Sequence, residues 1–196
     1  MDTARDKEIT WPYKEDKAQA YDENRLVTGI KLANRRVFET AQSDARYRGM
    51  GTTIVTLVCG PSGAFVGHVG DSRSYRVRDG SIEQVTQDHS LLNDYLKVHK
   101  LTAEEIEHFP HKNVIVRALG MKDRVDVEVQ RLAPRAGDIY LLCSDGLSNM
   151  LSDESMLAAV NAGKRDLEKT CQALIGQAND NGGQDNITVI LVEFFD

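Results

Sequence analysis

The chain has 196 residues, of which 41% are hydrophobic and 28% charged, with a formal net charge of −6. That length and balance fit one globular domain able to bury a sizeable core. The negative charge argues against a general nucleic-acid or membrane-surface binder. No apolar run approaches the roughly 20 residues needed to span a bilayer, and the charged N-terminus is not a secretory signal, so the expected location is cytoplasmic. Cys59, Cys143 and Cys171 each sit in an apolar stretch. An odd, scattered set of this kind reads as reduced, buried core thiols.

Residues 1–21 are mostly charged around Trp11-Pro12-Tyr13 and read as a loop with one aromatic anchor. From Asp22 the pattern turns helical: Leu26, Ile30, Ala33, Val37 and Ala41 line one face. Asp22 or Asn24 is the expected cap, and Lys31, Arg35 and Arg36 fall off the apolar stripe. Strand patterns follow at 52–59, 64–69, 74–78 and 82–86, with Asp79-Gly80 as a hairpin signal, and together they read as an antiparallel meander. A polar segment then holds a short helix around Leu91, Leu92, Tyr95 and Leu96 and a capping box, Thr102 with Glu105, opening another. It is expected to sit beside the main body and to move more. Residues 113–119 stay open between helix and strand. Val125, Val127 and Val129 alternate as a strand, and residues 134–137 turn the chain into a strand that runs to Asp145. Ser152 opens a helix that Gly163 stops. Leu167, Cys171, Leu174, Ile175 and Ala178 mark the next, and a last strand runs from Ile187 to Phe194 or Phe195. The sum is an α+β sandwich, antiparallel sheets with helices packed outside.

The chemistry concentrates where apolar strands meet acid-glycine turns. Ser144-Asp145-Gly146 follows one strand, and Gly182-Gly183-Gln184-Asp185-Asn186 precedes another. Gly146 allows a sharp turn through positive φ. If the two strands are neighbours, Asp145 and Asp185 converge at one end of a sheet, where carboxylates suit a hard cation; ordinary turn chemistry is the other reading of each acid. Several routes are closed. No cysteine is followed six positions later by arginine, since those positions hold Phe65, Asn149 and Gln177. No phosphate loop, dinucleotide fingerprint or nucleophile elbow is present. His99, His108 and His111 lack a cysteine pair at zinc spacing and read as solvated. Arg73, Arg76 and Arg78 read as a solvent-facing row along one strand face, with a phosphate contact from Arg73 left open. Metal-and-water chemistry remains, needing several carboxylates and no protein nucleophile; Asp71 is its third candidate.

Six motifs appear in order: Gly49-Met50-Gly51-Thr52-Thr53, Val69-Gly70-Asp71-Ser72-Arg73, Asp88-His89-Ser90-Leu91, Arg117-Ala118-Leu119-Gly120, Ser144-Asp145-Gly146-Leu147 and Gly183-Gln184-Asp185-Asn186-Ile187-Thr188. Together they resemble the bacterial branch of the metal-dependent protein phosphatase 2C (PPM) family. The resemblance implies a four-layer α-β-β-α sandwich of antiparallel sheets, the PPM-type phosphatase fold, with residues 1–196 as one domain and 88–112 as a flap-like insertion. It implies two Mn²⁺ or Mg²⁺ ions and a third held more weakly. Asp145 and Asp185 would ligate one ion of the pair and Asp71 the third. Arg73 would make a phosphate or structural contact. Substrates would be phosphoserine and phosphothreonine in proteins, those of a Ser/Thr kinase, with no nucleic acid or membrane as partner. The family's opening blocks are unmatched: an Arg for phosphate, and an Asp-Gly-x-Gly-Gly-His block supplying a bridging Asp, a glycine carbonyl ligand and a proposed general acid. The domain is therefore expected to be incomplete at the N-terminus, without its first strands, and no catalytic residue is carried over. Three functions follow: a Ser/Thr protein phosphatase lacking part of its site, a non-catalytic module that binds a kinase or phosphoprotein regulator, or a phosphatase completed by another chain.

Overall fold

A computed structural model describes residue 13 and residues 16–111, 114–163 and 166–195. Trp11 and Pro12 of the expected aromatic anchor lie outside these. Tyr13 is inside, and its hydroxyl donates to the Lys31 carbonyl at 3.3 Å. The chain forms two compact units, one reaching Val69 and taking in Arg117–Ala133, the other made of Gly70–Val116 and the chain from Pro134 onward.

In the first unit, helix α1 (Tyr21–Ser43) lies on strands β1 (Ile54–Gly60), β2 (Gly63–Val69) and β5 (Glu128–Leu132), which pair antiparallel in the order β1-β2-β5. The apolar stripe buries Leu26 and Ile30 against Phe65, Val69, Leu119 and Val125. Neither expected cap residue caps the helix. Ala20 holds that place without a side-chain bond, because Asp22 is engaged elsewhere: it accepts from the Ser62 amide at 3.0 Å and the Ser62 hydroxyl at 2.6 Å. The Ser62 hydroxyl, then its amide, hold the Asp22 carboxyl below the usual range against the opposing effect of burial. Buried Asn34 ties the helix to a later turn, donating to the carbonyls of Lys122 and Asp123 and accepting from the Gly120 amide. The alternation around Val125 extends ahead of the strand itself. Val125 and Val127 pack on the core, but pairing starts at Glu128, opposite His68. Cys59 lies near the end of edge strand β1 and is exposed, so it is not a core thiol.

In the second unit, β3 (Arg73–Arg78), β4 (Ser81–Gln84), β6 (Ile139–Cys143) and β7 (Val189–Glu193) form an antiparallel sheet of order β4-β3-β6-β7. Asp79 and Gly80 both take positive φ, 49° and 75°, as a type I′ hairpin turn requires. The expected single meander is instead two hairpins in two sheets, since β2 pairs with β5 and β3 with β6. Period-two alternation looks the same whichever sheet a strand joins. Tyr75, Val77, Ile139, Leu141 and Cys143 present one face to helices α5 (Asp153–Ala162) and α6 (Leu167–Asp180), whose Met156, Ala159, Val160, Leu174 and Ala178 close the core. Ser152 caps α5. Burial pushes the Cys143 thiol up to about 12, while Cys171 is only half-buried. Helices α2 (Leu91–Leu96) and α3 (Ala103–Glu107) occupy the polar segment, and the Thr102–Glu105 capping box is formed. Residues 114–119 are neither helix nor strand, contributing only isolated bridges, Ser90 to Ile115 and Thr52 to Leu119.

The arginines of β3 are not a solvent-facing row. Arg73 shares a face with Tyr75 and Val77, Arg76 and Arg78 take the other, and each is paired with a carboxylate. Arg78 grips buried Asp138 through two bonds, at 2.7 and 2.5 Å, and the Arg135 amide adds a third at 2.8 Å. The Arg78 bond is the main reason the Asp138 carboxyl lies below its usual range. Its stabilisation is therefore full above the ordinary carboxylate pKa of about 3.9 and is lost as pH falls through the lower folded value.

Candidate metal centre

Strands β6 and β7 are antiparallel neighbours, with Cys143 opposite Val189 as the last pair of the ladder. The loops beyond that pair therefore lie at one end of the sheet, and they carry Asp145 and Asp185. Asp145 does not sit in an open strand-end turn; it is the first residue of a short helix, α4 (Asp145–Ser148). Gly146 is not needed for positive φ either. A Cβ there would stand 2.4 Å from the Asn186 carbonyl oxygen and 3.3 Å from the Asp185 carbonyl carbon. Only glycine lets the two acidic loops approach this closely.

Asp71, one residue after Gly70 and two before β3, and Asp145 line a single cavity of 910 Å³; from the 182–186 loop the lining residue is Gln184. Asp185 itself is exposed, and its Oδ1 accepts from the Asn186 amide at 2.6 Å. Burial raises the Asp71 carboxyl pKa, and the charge of Asp145 raises it further. The charge of neighbouring Arg73 works the other way, but it is the smallest of these effects and does not reverse the rise. Arg73 donates through Nε and Nη2 to Asp88, at 2.7–3.1 Å, and through Nη1 to the Tyr75 hydroxyl at 3.0 Å. Burial works against the guanidinium charge, but the bonds with Asp88 and Tyr75 outweigh it and raise the Arg73 pKa. The result is a set of hard oxygen donors with excess negative charge, which suits a divalent ion.

Two supporting residues had no role assigned from sequence. Buried His89 accepts through Nδ1 from the Gly70 amide at 3.0 Å, fixing the backbone just before Asp71. Ser144 reaches across to the Asp185 loop: its hydroxyl donates to the Asn186 carbonyl at 2.8 Å and accepts from the Thr188 amide at 3.0 Å. Both lie inside motifs singled out above, but their partners are 19 to 44 residues away along the chain, so spacing alone gave no sign of them. His99, His108 and His111 are exposed, His99 stacked on Tyr95 at 4.2 Å.

Comparison with known proteins places this geometry. The profile of the family described as Protein phosphatase 2C matches residues 6–191. The serine/threonine phosphatase stp of Listeria welshimeri is 37% identical over 164 residues, 84% of this chain and 65% of that protein, so the chain spans just under two thirds of it. The crystal structure of the Mycobacterium tuberculosis serine/threonine phosphatase PstP/Ppp agrees with a TM-score of 0.79 at 31% identity, covering 93% of this chain and 76% of the other. A structure of the catalytic domain of PstP in complex with two manganese ions agrees at 0.74 and 30%, covering 93% and 75%. The ordered motifs, two antiparallel sheets with helices and a profile running over nearly the whole chain lead to one assignment: the chain belongs to the metal-dependent protein phosphatase 2C family.

Proposed function

We propose that this chain carries part of the site of a phosphatase that removes phosphate from phosphoserine and phosphothreonine in proteins, with Mn²⁺ or Mg²⁺ as cofactor. The observation that carries the reading is the cavity wall where Asp71 and Asp145 face the same space while Arg73, beside them, is engaged by Asp88. Asp145 and Asp185 would hold one ion and Asp71 another. When bound, such ions lower the pKa of water and stabilise the oxygens of an in-line displacement at phosphorus. Around these acids, Asp88 keeps the Arg73 guanidinium in a structural role, and His89 anchors the turn that leads to Asp71. We read residues 1–196 as one PPM-type domain without its first strands. Residues 88–112 are its flap, with Leu92, Asn93 and Ile106 on the cavity wall.

Phosphoprotein substrates of a Ser/Thr kinase, and a cytoplasmic setting, are part of the same proposal. No helix among the described residues is long and apolar enough to cross a membrane. The test is phosphate release from a phosphothreonine peptide by this chain preceded by the opening blocks of a relative. Release should require Mn²⁺ or Mg²⁺ and disappear in Asp145→Asn. Release that is indifferent to that substitution would count against the assignment.

A further inference from the structure

The residue before Asp145 is built in an unexpected way. Ser144 holds the N-cap position of α4, where a serine hydroxyl ordinarily accepts from an amide of the first turn. Here it makes no such bond. Its backbone amide donates to the Thr188 carbonyl at 3.2 Å, and its hydroxyl takes both the Thr188 amide and the Asn186 carbonyl. A side chain thus continues the β6–β7 ladder beyond its last backbone pair. Asn186 is the residue after Asp185, and its carbonyl oxygen is also the atom against which Gly146 is fitted. Two contacts from residues flanking Asp145 therefore converge on one carbonyl oxygen, that of the residue after Asp185.

We infer that Ser144 is a positioning residue: its hydroxyl locks the Asp185 loop to the Asp145 turn and so fixes the spacing of the two carboxylates. This rests on the metal-site reading above. Ser144 is not among the residues that line the cavity with Asp71 and Asp145. It acts through the Asn186 peptide, in the way that outer partners orient ligands in metal sites generally. A hydroxyl is required because one group must both donate to Asn186 and accept from Thr188.

The experiment is Mn²⁺ titration of the chain, followed by the electron paramagnetic resonance signal of the free ion, with urea unfolding of each variant alongside. Ser144→Ala should weaken Mn²⁺ binding about 10-fold, the lower end of losses seen for outer-sphere partners. Ser144→Thr, which keeps the hydroxyl, should retain wild-type affinity. Where alanine does not fold, Ser144→Cys keeps the shape with a far weaker hydrogen bond and should show the same loss. In an Asp185→Asn background Ser144→Ala should add nothing, because the residue it positions is already disabled. Unchanged affinity in Ser144→Ala or Ser144→Cys, with Asp185→Asn weakened, overturns the inference alone. So does an equal additional loss in the Asp185→Asn background, which would mean a general effect on stability. Unchanged affinity in Asp185→Asn itself overturns the metal reading and this inference with it.

Discussion

A polypeptide of these 196 residues is expected to release phosphate from a phosphothreonine peptide at least about 100-fold more slowly than the same polypeptide preceded by the opening blocks of a relative such as the Listeria welshimeri phosphatase, the loss typical of removing one preorganised stabiliser from an active site. None of the 196 residues supplies the Asp-Gly-x-Gly-Gly-His block to which the family resemblance assigns the bridging acid and the general acid. Two-metal chemistry depends on ions held at a fixed spacing, and a ligand common to both sets it. On the proposed reading, Asp71, Asp145 and Asp185 would offer oxygens to single ions but leave that spacing undefined. The general acid that would assist the departing oxygen has no counterpart either. Edge strands add a physical difficulty. Strand β1 is an edge of one sheet and β7 of the other, with Ile190 on β7 52% exposed, and unpaired edges invite association between copies. Phosphate release and size-exclusion profiles of the two polypeptides, measured together, check both expectations. Equal turnover would mean that the 196 residues already hold a complete site.

The second large effect is expected at Gly146. Replacement by alanine puts a methyl group 2.4 Å from the Asn186 carbonyl oxygen and 2.9 Å from its carbon. Those atoms are backbone, held by Ser144 and by the start of β7, so no side chain can swing away. Overpacking of this kind costs about 3 kcal/mol, and the movement that relieves it separates the Asp145 and Asp185 loops. Gly176, in α6, is the control: it is exposed and nothing lies within 4 Å of a Cβ built there. Gly176→Ala should be stabilising by about 0.5–1 kcal/mol through helix propensity. Urea unfolding of the two variants gives the comparison, with Mn²⁺ binding expected to be lost only in Gly146→Ala. Similar stabilities for both would mean that the Gly146 contact is not tight.

The same position shows what the sequence made legible and what it did not. Asp79-Gly80, the Thr102 capping box and the apolar stripes of α1 and α6 are local signals, set by residues within one turn of each other, and they were readable directly. That the loops carrying Asp145 and Asp185 leave one end of a sheet depended on the pairing of β6 with β7, which no local signal reports. Gly146 was recognised as a turn glycine, but its actual constraint is a neighbour 40 residues away. The hydroxyl of Ser144 and the Nδ1 of His89 act over similar separations, and no spacing rule reports such contacts. Asp22 was expected to cap α1 because its type and place suited that role; a tertiary partner, Ser62, displaced it. The arginines of β3 were assigned to one face, although residues 73 and 76 differ in parity and fall on opposite faces of a strand. Cys59 lies in an apolar run, yet on an edge strand such a run leaves one side to solvent.

The central claim is that Asp145 and Asp185 act together on a divalent ion. Calorimetric titration of Mn²⁺ into the wild-type chain and into the Asp145→Asn, Asp185→Asn double variant tests it most directly. Two carboxylates brought together repel each other, and a cation relieves that repulsion. The wild type should therefore bind Mn²⁺, weakly because the bridging acid is not among its residues, and the double variant should lose the heat of that site, keeping at most the still weaker binding assigned to Asp71. Superimposable curves from the two proteins would contradict the account.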